Sequence, residues 1–184
     1  REIDGVANWR GGEEPGLMDI DTLTIRRLRD ALIASGRVSE VQGERNPVPG
    51  REASLARVAP FVETMYLMMV IDEAHTETES AVIRGAMRTL THGLLDDSAL
   101  SAMLAGFAEQ RAAQGVEARL QAIGNRICAD RIDRETGFTL AAAVALADET
   151  VAPEELTLLE SIGEWFGLSS RRRREILQQF DAGA

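Results

Sequence analysis

The sequence predicts an all-α protein, a single-domain bundle of about seven helices, and three observations carry that prediction. Alanine, the strongest helix former, occurs 26 times in 184 residues, about twice its usual share. Apolar residues recur at helical spacing in nearly every segment beyond residue 55, and no segment alternates with a period of two. Glycine and proline crowd into the first fifty residues, which hold 7 of the 16 Gly and 3 of the 5 Pro. Chain punctuation therefore thins out where the bundle is expected.

Residues 1–54 read as an N-terminal arm, a short helix and a linker. The arm, residues 1–16, has no periodicity and ends in Gly11-Gly12-Glu13-Glu14-Pro15-Gly16, with Trp9 as its one anchor. Asp21 can cap a short helix to about Ser35, with Ile25, Leu28 and Leu32 on one face and Gly36 as the stop. Gly43, Asn46-Pro47 and Pro49-Gly50 make residues 36–54 a loop. Residues 55–184 form the helical domain. Its first helix, about 60–71, is nearly apolar all round, as a buried central helix must be. Helices follow over about 77–90, 97–115, with Asp97-Ser98 opening it, and 116–130. The stretch 135–147 is again almost wholly apolar. Pro153 suits a first turn, with Glu154 and Glu155 behind it, and that helix ends at Gly167. Ser169 can cap a last helix to about Phe180.

Composition excludes several classes. The chain carries 20 Arg against 30 Asp and Glu, a net charge of −10, which disfavours sequence-independent binding to nucleic acid. Every basic residue is arginine. Without lysine there is no P-loop ATPase, no Schiff-base enzyme and no lysine general base in this chain. No apolar run is long enough for a membrane span, and no leader pattern opens the sequence as given. The single cysteine, Cys128, lies between Ile127 and Ala129 and reads as an inert core thiol. These features lead to the expectation of a cytoplasmic protein.

Two segments repeat at a spacing of 76 residues. In the first, Val70-Ile71-Asp72-Glu73 ends an apolar helix, Ala74-His75-Thr76 turns, and Glu77-Thr78-Glu79 opens the next helix. In the second, Leu146-Ala147-Asp148-Glu149 leads through Thr150-Val151-Ala152 to Pro153-Glu154-Glu155. The pairs Asp72/Asp148, Glu73/Glu149 and Glu79/Glu155 are identical, and each Asp is followed seven positions later by a first-turn Glu. The pattern predicts two duplicated helix-turn-helix hairpins.

On these residues the chain resembles the tellurite-resistance TerB family and its TerB-like relatives. That family's motif is an apolar helix ending in Ala-Asp-Gly, a short turn, and a Glu seven residues after the Asp, occurring twice. Asp72 with Glu79, and Asp148 with Glu155 after Leu146-Ala147, match it, and the resemblance covers about residues 55–180. Where the family has Gly after the Asp, this chain has Glu73 and Glu149, so the turn geometry must differ or hold a strained Glu. The resemblance implies an all-helical, non-catalytic module that binds a divalent metal through these carboxylates and takes part in a bacterial tellurite or stress response.

The chemistry of the residues leaves two alternatives open. Four carboxylates brought together, Asp72, Glu79, Asp148 and Glu155 with Glu73 and Glu149 beside them, repel one another unless a cation lies between. Hard cations such as Ca²⁺ or Mg²⁺ take oxygen ligands and suit such a cluster. Alternatively the glutamates only complement helix dipoles, and the chain is a helical interaction scaffold that binds no metal. Other patterns fail on inspection. Asp72-Glu73-Ala74-His75 spells a DEAH string, but without a Walker lysine or a preceding strand. An EF-hand loop counted from Asp72 puts Ala74, Thr76 and Glu77 where oxygen ligands and a glycine are needed. His75 and His92 make no zinc spacing with Cys128. Met65, Met68 and Met69 read as core. The run Arg171–Arg174 reads as a solvated face neutralised by intramolecular carboxylates such as Glu160 and Glu164, with a bound anion or anionic headgroups as the other options. Expected partners are other proteins, with a second copy of the chain or a peripheral membrane contact left open.

Overall fold

Helix starts in this chain are marked by acidic and hydroxyl side chains, and the computed structural model shows which of them act. The structure describes residues 22–34, 48–71, 77–147 and 153–181. Among these residues there are eight helices and no strand: α1 (Thr22–Ala34), α2 (Val48–Met69), α3 (Glu77–Leu90), α4 (Asp97–Gln114), α5 (Val116–Ile127), α6 (Arg131–Ala145), α7 (Pro153–Trp165) and α8 (Ser170–Asp181). Eight replaces the expected seven or so because α1 is part of the bundle. Its Ile25 and Leu32 are fully buried, and it packs on α3 and α6. The expectations for residues 1–16 with Trp9, and for Asp21 as a cap, lie outside the described residues.

The two apolar runs are the centre of the fold. α2 and α6 share the most extensive helix contact, and Phe61, Val62, Met65, Leu67 and Met68 of α2 bury against a core that includes Phe138 and Leu140–Ala145 of α6. Alanine at 141–143 and 145 lets a neighbouring helix approach closely. Around this pair α5 runs antiparallel to α2, since Arg126 reaches the Ala56 carbonyl while Arg119 reaches Glu63. α7 packs on α5 and α6, and α8 closes over α6.

Several helix ends differ from the sequence expectation, each for a physical reason. α2 starts at Val48 rather than near Pro60, so Pro60 lies inside it. A proline there removes one intrahelical N–H and strands the carbonyl four residues back. That carbonyl, Ala56 O, accepts from Arg126 at 3.0 Å instead. α6 starts at Arg131 rather than 135 because Asp130 caps it, accepting from the backbone N–H of Ile132 at 2.7 Å and of Asp133 at 3.4 Å. α5 consequently stops at Ile127, and Cys128 falls in the turn. Its thiol is exposed, donating to the Asn125 carbonyl at 3.2 Å, so it is not the core residue its apolar neighbours suggested. At α4 the cap is Asp96, one residue before the expected opening, accepting from Ala99 N–H at 2.8 Å.

The end of α7 follows expectation. Gly167 adopts φ 69°, with its N–H donating to Glu164 O and that of Leu168 to Gly163 O, a Schellman ending that needs a residue at ease with positive φ. Gly124 permits a close approach of α5 to α7: a Cβ there would stand 2.6 Å from the Trp165 carbonyl oxygen.

Candidate functional site

In the sequence, the apolar runs that form α2 and α6 are each followed by an Asp-Glu pair. α2 is described to Ile71 and α6 is followed to Ala147. Asp72, Glu73, Asp148 and Glu149 then lie outside the described residues, as does His75. Glu79 falls in the first turn of α3, and its side chain is likewise outside the described set. Glu155 is the one predicted ligand with a described side chain. It occupies the first turn of α7 and is 8% exposed, with an interaction partner, whereas the adjacent Glu154 is exposed. Among the described residues no three His, Cys, Asp or Glu side chains form a group that could hold a metal ion.

At the edge of the first turn a cation is already present. Arg111, in the last turn of α4, donates to the Val70 carbonyl at 3.1 Å, satisfying one of the acceptors that the end of α2 leaves over. Deeper in α2, Glu63 and Arg119 form a two-pronged pair, Nε to Oε1 at 2.7 Å and the second guanidinium nitrogen to Oε2 at 2.9 Å. The Glu63 side chain is 2% exposed and Arg119 15%. A fully buried carboxylate needs such a fork, because an unpaired charge there would be prohibitively costly. Sequence reading did not single out this pair. Glu63 is an isolated charge in an apolar helix, a pattern that signals a buried partner, but nothing identifies Arg119, 56 residues away.

The run Arg171–Arg174 is largely internally paired. Arg171 donates to Glu175 at 2.8 Å, and Arg172 bridges Glu175 at 3.0 Å and Glu135 of α6 at 2.8 Å. Glu135 in turn accepts from Arg131 at 2.7 Å. Arg173 donates to the Glu160 carbonyl at 2.8 Å and lies 3.8 Å from the Glu164 carboxylate. The two glutamates named from the sequence thus serve Arg173, whereas Glu135 and Glu175 hold Arg171 and Arg172, and Arg174 donates to the Ser170 carbonyl at 3.4 Å. Arg172 foremost, then Arg131, holds the Glu135 carboxyl below its ordinary value of 4.5, outweighing the opposite effect of burial. Arg171 and Arg172 lower Glu175 likewise, and both carboxylates raise Arg172 further. The pairs Arg131/Glu135 and Arg171/Glu175 are four apart and legible in sequence, whereas the link from α8 to α6 is not.

Among the described residues the chain is an all-helical bundle built around α2 and α6. No family model, no curated protein and no solved structure matches the chain. No helix among the described residues is long and apolar enough to cross a membrane.

Proposed function

We propose that the chain is a non-catalytic, TerB-like metal-binding module whose two acidic turns hold one divalent cation, Ca²⁺ or Mg²⁺, and that it acts through protein partners in a bacterial tellurite or stress response. The ligands are Asp72 and Glu79 from one hairpin and Asp148 and Glu155 from the other, with Glu73 and Glu149 next to them. Carboxylate oxygens are the donors that hard cations prefer.

One observation carries the reading. Asp133, in the first turn of α6, lines a cleft with Ala56, Arg57, Pro60 and Phe61 of α2, so the two central helices begin their buried runs at the same level. Both runs extend from there, through Met68 in α2 and Ala145 in α6. Helices that start level and bury side by side finish near the same end of the bundle, which supports bringing the two segments that follow them together. The burial of Glu155 beside an exposed Glu154 adds support, since a glutamate that only complements a helix dipole has no need to leave water.

Thermal melting with and without Ca²⁺, Mg²⁺, Mn²⁺ or Zn²⁺ tests the proposal. A cation that binds only the folded chain stabilises it by about 2.7 kcal/mol at a hundred times its Kd. The expected result is a raised midpoint with Ca²⁺ or Mg²⁺ that Asp72→Asn and Asp148→Asn each abolish. No shift with any of the four ions would leave the metal-free interaction scaffold as the reading.

A further inference from the structure

Four arginines meet in one cleft with too few carboxylates to neutralise them. The cleft, about 410 Å³, is bounded by the first turns of α6, the α7–α8 turn and the first turns of α8. Arg131, Arg134, Arg171 and Arg172 line it, against Glu135 and Glu175. All four oxygens of those two carboxylates are in use, one from each on Arg172 and the others on Arg131 and Arg171. Arg134 is left with the Gly167 carbonyl at 3.4 Å, and the Nε atoms of Arg134 and Arg172 are buried without a hydrogen-bond partner. The lining therefore keeps two unneutralised positive charges and several spare donors in a chain whose net charge is −10. Water screens part of this excess, since the Arg131 and Arg171 side chains are 72% and 86% exposed, and an anion in the cleft would neutralise the rest.

The geometry points to a binding site for a phosphate monoester, with Arg134 as its principal contact and Arg171 and Arg172 beside it. Guanidinium forks match phosphate oxygens in pairs. A monoester carries close to two negative charges near neutral pH, the number the cleft lacks, and offers three acceptor oxygens to the spare N–H groups. A simple carboxylate would bring half that charge. The Ser169 hydroxyl, whose oxygen accepts from the Arg172 backbone N–H at 3.3 Å, also lines the cleft and keeps its proton to donate. The volume is that of a small-molecule site.

Titration of the full chain with inorganic phosphate at pH 7.5, against chloride at equal ionic strength, tests this. The readouts are the arginine Nε–H resonances and the melting midpoint. The expected result is saturable movement of the Arg134 and Arg172 signals by phosphate alone, and a raised midpoint. Arg134→Gln should weaken binding about tenfold or more. Arg171→Gln removes a rim guanidinium that is 86% exposed, so it tests the site without threatening the fold and should weaken binding several-fold. Phosphatidylcholine vesicles with and without phosphatidic acid distinguish the source of the monoester. Sedimentation with phosphatidic acid that Arg134→Gln abolishes assigns it to a lipid headgroup; no sedimentation, with phosphate still bound, assigns it to a soluble molecule. Phosphate effects no larger than those of chloride, or phosphate or vesicle binding that survives both substitutions, would overturn the proposal.

Discussion

Gly124 and Gly106 both lie inside helices, yet alanine should act oppositely at the two. At Gly124 a Cβ would stand 2.6 Å from a backbone oxygen, Trp165 O, which cannot swing aside. At Gly106 nothing lies within 4 Å. Gly106→Ala should therefore stabilise by about 0.5–1 kcal/mol through lost unfolded-state entropy. Gly124→Ala should destabilise by about 1–3 kcal/mol as α5 and α7 are forced apart. Urea unfolding of the two variants checks both signs, and equal effects would show that α5 and α7 are not in such close contact. The Glu63–Arg119 pair gives a second residue-scale expectation. Glu63→Gln should cost about 2–4 kcal/mol, because it leaves a largely buried guanidinium without its counter-charge. Replacing both residues by Leu and Met should recover most of that loss in the same unfolding assay. A double variant no better than the single one would mean that the fork itself, rather than the unpaired charge, sets the energy.

Caps and clamps decide where the helices begin and how they are tied together. Asp130→Ala removes the acceptor for two first-turn N–H groups of α6 and should cost about 1 kcal/mol, measured by urea unfolding. A neutral outcome would mean that water satisfies those groups equally well. The Arg172 clamp between α6 and α8 predicts a pH signature. Glu135 and Glu175 have folded-state values depressed below 4.5, so they bind protons more weakly folded than unfolded. Their stabilising effect is complete above that value and is lost as pH falls through the depressed ones. Wild type should therefore melt above Arg172→Met at pH 7, with the gap closing as pH drops below about 4.5. A gap that persists unchanged to pH 3 would contradict the clamp. These elements also mark what was legible in the sequence. α3, α7 and α8 lie within a residue or two of their expected bounds, because amphipathic spacing and punctuation such as Pro153, Gly167 and Ser169 agree there. α2 and α6 do not, because Pro60 reads as a start until its tertiary partner is known, and Asp130 reads as the end of the preceding helix rather than the cap of the next. Arg126 lies 70 residues from the carbonyl it rescues. Cys128 differs because α5 stops at Ile127, so the residue falls in the turn before the Asp130 cap and its side chain is exposed despite apolar neighbours.

At the scale of the whole molecule, one arrangement connects fold to function. Two apolar helices, α2 and α6, bury against each other, and in the sequence each is followed by Asp-Glu and a further helix. The resemblance to TerB proteins rests on that repeated sequence pattern, and the proposed cation rests on the two turns meeting. On the proposed reading the two segments share one ion, since the Asp and Glu that each would contribute fall short of the six to eight or so oxygens that Ca²⁺ prefers. A shared cluster would carry charge repulsion in the metal-free state, so on this proposal Asp72→Asn should leave the metal-free midpoint unchanged or slightly raised in a melting experiment. A clear loss of metal-free stability would instead mark Asp72 as a structural cap. The most direct measurement is a calorimetric titration of the chain with Ca²⁺, repeated on Asp72→Asn and Asp148→Asn. A shared site predicts one ion per chain and the loss of that binding in either variant; two independent weak sites, each removed by only one substitution, or no binding at all, would contradict it.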